Sequence, residues 1–130
     1  MSYNAISPDL NGLSNKVIGF AIKIHSSLGP GLLESVYKEC LFYELDKAGY
    51  IVVKEKPLPL MYESVKLDIG YRVDLLVENK LIIEVKAVEA LADIHTAQVL
   101  TYLKLSNCSL GLLINFNAPL LKNGIKRLVI

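Results

Sequence analysis

Residues 12–28 place apolar side chains at Val17, Ile18, Ala21, Ile24 and Leu28, three to four positions apart. That spacing predicts a helix with one buried stripe, and Gly29-Pro30-Gly31 ends it. Residues 32–48 predict a second helix, with Val36, Cys40, Tyr43 and Leu45 among its apolar positions and Gly49 as its stop. Beyond Gly49 the period shortens. Ile51-Val52-Val53 is β-branched and predicts a strand. Pro57 and Pro59 bracket a bend before a short edge strand over 60–63. Strands follow over 71–77 and 81–88, joined by Glu78-Asn79-Lys80. Residues 93–105 predict a third helix, and 110–115 and 125–130 the last strands.

This order, α-α-β-β-β-β-α-β-β, predicts an α/β fold. An antiparallel meander leads through a helical crossover to a further strand, giving a mixed central sheet flanked by helices on both faces. The unbroken apolar runs at Leu81-Ile82-Ile83 and at 110–114 mark strands buried on both faces, hence central ones. With 130 residues, one domain is expected over 12–130, after a poorly ordered segment over 1–11.

Three charges interrupt the apolar strands. Glu84 and Lys86 stand in Leu81-Ile82-Ile83-Glu84-Val85-Lys86, and Asp74 stands in Arg72-Val73-Asp74-Leu75-Leu76-Val77. A buried charge is costly unless it is paired or bound to a metal. Side chains alternate along a strand, so Glu84 and Lys86 share a face. Whether Asp74 joins them depends on register. If Glu78-Asn79-Lys80 is a three-residue loop, Val77 opposes Leu81 and Asp74 opposes Glu84. A two-residue loop puts the carboxylates on opposite faces. Asn79 tolerates the left-handed conformation that a three-residue hairpin needs, so the odd loop is expected. Two adjacent carboxylates suit magnesium or manganese, and no Cys/His cluster offers a zinc site. A hard cation beside a lysine is what phosphodiester hydrolysis requires. The competing reading is a structural ion pair across the strands.

Asp74 followed by Glu84-Val85-Lys86 resembles the D…(D/E)xK motif of the PD-(D/E)xK nuclease superfamily, with Val73 where a proline often stands. Gly31-Leu32-Leu33-Glu34-Ser35-Val36-Tyr37 matches the G-x-x-E-x-x-Y signature of a small prokaryotic family assigned to that superfamily. The likeness runs from about Lys16 to the end of the chain. It implies a restriction-endonuclease-like core and a metal-dependent nuclease acting on DNA ahead of RNA. In that reading Asp74 and Glu84 hold magnesium, or manganese, with the backbone carbonyl of Val85. Lys86 serves the nucleophile or the transition state. Glu34, in the first turn of the second helix, becomes a third carboxylate candidate. Its residue-level alternative is favourable placement at the positive helix end. Gln98-Val99-Leu100-Thr101-Tyr102 resembles the Q-x-x-x-Y motif of RecB-like members, which implies that Gln98 lies near the active site and Tyr102 supports substrate binding.

Other residues carry two readings each. Tyr37, on the face of Glu34, packs with a tethered hydroxyl or hydrogen-bonds into the site to meet substrate. Gly31 supplies a turn conformation. Arg72 pairs with a carboxylate or contacts phosphate. His25 reads as a cation near a helix end or a solvated residue, and His95 as a surface histidine that could line the same cleft. Lys122, Lys126 and Arg127 read as a solvated cluster, with phosphate contact as the lesser alternative.

The net charge of +1 offers no generally basic surface, which favours the competing function class, a non-catalytic nuclease-like module binding nucleic acid or protein. At this size a homodimer or partner protein would supply recognition. Cys40 and Cys108 read as buried thiols of a reducing compartment. With no signal pattern and no apolar run able to span a bilayer, no membrane association and a cytoplasmic location are expected.

Overall fold

The computed structural model describes residues 6–130. Ser7 accepts a hydrogen bond from the Leu10 N–H at 3.2 Å and Pro8 follows at the first helical position. This cap starts α1 (Pro8–Leu28) earlier than the apolar stripe indicated. Pro8–Asn11, expected to be poorly ordered, are therefore helical, and residues 1–5 of that expectation lie outside the described residues.

In α2 (Glu34–Lys47) the buried face is Tyr37, Leu41 and Leu45. Of the expected apolar positions Leu45 is buried, whereas Val36 and Tyr43 are exposed and Cys40 is only half-buried. The observed face buries two leucines and the Tyr37 ring, which stacks on Phe116 with centroids 4.6 Å apart.

The main sheet has five strands: β1 (Val52–Pro57), β4 (Arg72–Val77), β5 (Leu81–Lys86), β6 (Leu110–Asn115) and β7 (Ile125–Val129), in the order β1-β4-β5-β6-β7. The β5–β6 pair is parallel and the others are antiparallel. α3 (Asp93–Ser106) makes the crossover between β5 and β6. Strands β5 and β6, which carry the unbroken apolar runs, are interior, as expected. The stretch after Pro59 departs from expectation: β2 (Leu60–Tyr62) pairs with a further strand, β3 (Val65–Leu67), in a separate hairpin off the main sheet.

The sheet divides the core in two. Leu75, Val77, Leu81, Ile83 and Val85 face α1 and α2, while Leu76, Ile82 and Leu113 face α3. No helix among the described residues is long and apolar enough to cross a membrane.

α3 lies close against β6 because position 111 lacks a side chain. A Cβ on Gly111 would stand 2.8 Å from Val99 Cγ1 and 3.4 Å from Leu103 Cδ2. Val99 is β-branched and cannot swing aside freely. Gly111→Val should therefore lower unfolding free energy by about 1–3 kcal/mol, measured by denaturant titration. Unchanged stability would show that α3 is loosely seated.

Candidate active site

The β4–β5 hairpin sets the site. Its loop is the odd one: Val77 pairs with Leu81, Leu76 with Ile82 and Leu75 with Ile83. Glu78 and Asn79 both take the left-handed conformation, with φ of 53° and 56°. Asn79 was the expected occupant. Glu78 is held there by its contacts with Ile51, whose N–H donates to the Glu78 carboxylate at 2.6 Å and whose carbonyl accepts from the Glu78 N–H at 2.8 Å.

Continued by one step, this register sets Asp74 opposite Glu84, but the backbone ladder stops at Leu75 and Ile83. Side chains replace it. The Asp74 N–H donates to Glu84 Oε1 at 2.9 Å, and the Val85 N–H donates to Asp74 Oδ2 at 2.8 Å. Each carboxylate thus caps the opposite strand. The Lys86 carbonyl accepts from Phe116 on the β6 side, so Val85, one residue away, turns its N–H and carbonyl toward β4 and into this gap.

The pair is electrostatically stressed. Burial and the neighbouring Asp74 push the Glu84 carboxyl up to about 8 from its ordinary 4.5. Burial also raises Asp74, against the Val85 N–H, Glu84 and Lys38, which lower it. Glu84 is the acid of the pair whose shift is large, so it is the one that holds a proton more readily than an ordinary carboxyl. Two adjacent carboxylates in a poorly solvated gap do not both ionise readily.

On the α3 face the Lys86 ammonium donates to Gln98 Oε1 at 3.1 Å, and Gln98 Nε2 donates to the Tyr102 hydroxyl at 3.1 Å. Burial and the nearby Glu84 hold the Tyr102 phenol above its ordinary value. Asp74, Glu84, Val85, Lys86, Gln98 and Tyr102 therefore form one connected group.

Glu34 stands apart. Its carboxylate accepts from the Ala87 N–H at 3.2 Å, just past Lys86, and no three acidic, His or Cys side chains among the described residues converge as a metal-binding set. Tyr37 is fully buried. Its hydroxyl donates to the Gly29 carbonyl at 2.6 Å and accepts from the Leu32 N–H at 3.1 Å. Of its two readings, the packed and tethered one fits, and a substrate contact does not. Gly31 has φ of 101°, the turn conformation expected of it. Arg72 is exposed and forms no ion pair among the described residues, contrary to the pairing that its neighbourhood favoured. His25 bonds the Ala118 carbonyl at 2.8 Å, and His95 lines the hollow beside Lys86.

Two residues escaped the sequence reading. Glu55 lies opposite Asp74 on β1, where the pairing skips a step and Glu55 has φ of 54°. It pairs with Lys38, one helical turn after Glu34. Burial works against the Lys38 charge, but Glu55, Asp74 and Glu39 outweigh it and raise its pKa. Lys38 was findable as the i+4 neighbour of Glu34. Glu55 was not, because β-branched character stops at Val53.

The family model described as the PD-(D/E)XK nuclease superfamily matches residues 11–128. The chain belongs to the PD-(D/E)XK nuclease superfamily. Among curated proteins and among solved structures nothing matches. The five-stranded mixed sheet flanked by helices agrees with the restriction-endonuclease-like fold of the superfamily. Nucleases of this superfamily generally use divalent metals and act on nucleic acid. The residues present fit such an ion: two carboxylate groups and a strand carbonyl are hard oxygen donors meeting in one gap.

A pH dependence follows from the raised Glu84. Protonation favours the folded state, so its contribution to stability is full below about 4.5 and is lost as pH rises through about 8. Without divalent cation, the melting temperature should fall between about pH 5 and about pH 8. Glu84→Gln should flatten the fall, and magnesium should raise the melting temperature more at the upper end. A wild-type profile that matches Glu84→Gln would contradict the stressed pair.

Proposed function

We propose that this chain hydrolyses phosphodiester bonds of nucleic acid, DNA in preference to RNA, with magnesium or manganese held by Asp74, Glu84 and the Val85 carbonyl. The observation that carries this reading is the clasp at the open end of β4 and β5, two stressed carboxylates next to a lysine. The backbone N–H bonds hold both carboxylates in place before any ligand arrives, which is the preorganisation that catalysis needs. The cation, when bound, supplies an activated water and neutralises charge on the phosphoryl group. Gln98 steadies the Lys86 ammonium at 3.1 Å, where it orients the attacking water or meets charge developing on the phosphate. Tyr102 continues that line toward substrate. Glu34, at the end of β5, contributes from the mouth of the site without joining the cation's donors.

The G-x-x-E-x-x-Y motif supports membership of the family that carries that signature. Its parts act together: the Tyr37 hydroxyl ties the turn from Gly29 to Leu32, and that turn delivers Glu34 to the end of β5. A cytoplasmic setting, and a second copy or partner protein to complete recognition, belong to the same reading.

Magnesium-dependent cleavage of assorted DNA substrates tests the proposal. Asp74→Ala and Lys86→Ala should each reduce the rate by at least ~100-fold, and chelation should abolish it. Equal activity in wild type and both variants would overturn the assignment. A chain that binds neither magnesium nor manganese would instead be a non-catalytic module.

A further inference from the structure

Beside Lys86 lies a hollow of about 390 Å³, lined by Tyr71, Lys86, Ile94, His95, Gln98 and Tyr102 among others. Its lining is mostly apolar and includes two tyrosine rings. The Tyr71 and Tyr102 rings meet edge to face with centroids 6.4 Å apart, and Ile94 stands 70% exposed at the start of α3. Its polar groups are few and fixed. Lys86, Gln98 and Tyr102 form a hydrogen-bonded row. His95 Nδ1 accepts from the Ala92 N–H at 2.9 Å, which leaves the proton on Nε2 and makes that nitrogen a donor. Flat faces with a few fixed donors and acceptors are what a nucleobase requires. The volume is near the lower end of ligand pockets, roughly 300–1,000 Å³, so it suits a single base and not a stacked pair.

Charge points the same way. Duplex binding draws its strength from lysine and arginine contacts to phosphates. Here the net charge is only +1, so no broad basic face is available for a duplex. Arg72 is exposed and forms no ion pair among the described residues, and it lines, with Asp68, a second hollow that shares the Tyr71 wall. One side of Tyr71 therefore offers a site for a base and the other a contact for a phosphate.

We propose that the hollow beside Lys86 seats an unpaired base, and that the preferred substrate is single-stranded or locally unpaired nucleic acid. This rests on the nuclease reading above. Tyr71 is the binding residue it adds, through ring stacking. A base inside an intact duplex reaches the hollow only by leaving its stack.

The test uses the full chain with magnesium on three DNAs of one sequence: a single strand, a blunt duplex, and a single strand with one abasic position. The single strand should be cut at least ~10-fold faster than the duplex, and cutting beside the abasic position should drop by a similar factor. Tyr71→Ala should raise KM for the single strand roughly 10-fold, and Tyr71→Trp should restore it. In parallel, a single strand carrying 2-aminopurine is bound in calcium, and its fluorescence should be quenched by wild type but not by Tyr71→Ala. Equal cutting of all three DNAs would overturn the base site and leave the nuclease reading standing. If nothing is cut, the nuclease reading fails and the fluorescence decides: quenching that depends on Tyr71 upholds the base site, and its absence overturns it.

Discussion

Where β4 and β5 separate, two backbone N–H groups lose their ladder partners, and two carboxylates take their place. Leaving a buried N–H unsatisfied costs about 1–3 kcal/mol, so Asp74 and Glu84 are tied to these positions by the fold itself. The same bonds bring two acids together in a gap where burial penalises their charge. Lysines on both sides, Lys86 from β5 and Lys38 from α2, offset part of that penalty. The arrangement depends on an odd-numbered loop. A shift of one residue would turn Asp74 to the opposite face and into the α1–α2 core.

The surrounding parts are explained by this clasp. α3 must lie close enough for Gln98 to reach Lys86, and Gly111 permits that approach. α2 must present Lys38 and Glu34 on the other side. The Tyr37 hydroxyl fixes the turn before that helix, and its ring stacks on Phe116 just beyond β6. The residue pattern Gly31, Glu34, Tyr37 thus combines a turn, a carboxylate and the staple that positions it.

Much of this was legible in the amino-acid order. The loop length followed from Asn79, which puts two acids on one face, and the central strands from their unbroken apolar runs. What was not legible has physical causes. The α2 face was only partly legible because that helix carries apolar residues on more than one side: Leu45 is buried as expected, but Tyr37, stacked on Phe116, and Leu41 take the places of Val36, Cys40 and Tyr43. β3 is three residues long and pairs only with β2, too short for periodicity to show. Glu55 meets Asp74 through strand pairing distant in sequence. Glu34 was expected among the acids by resemblance, but the Ala87 N–H holds its carboxylate elsewhere. Arg72 shares a strand with Asp74, which says nothing about where a long, exposed side chain finds its partner.

The central claim is that the Asp74–Glu84 clasp is a divalent-cation site. Anomalous diffraction from crystals soaked in manganese tests it most directly. The account predicts one strong peak between β4 and β5, bound by Asp74, Glu84 and the Val85 carbonyl, with both carboxylates still facing the gap. Manganese found elsewhere, or absent at millimolar concentration with the clasp unchanged, would make the two acids a structural cap and contradict the account.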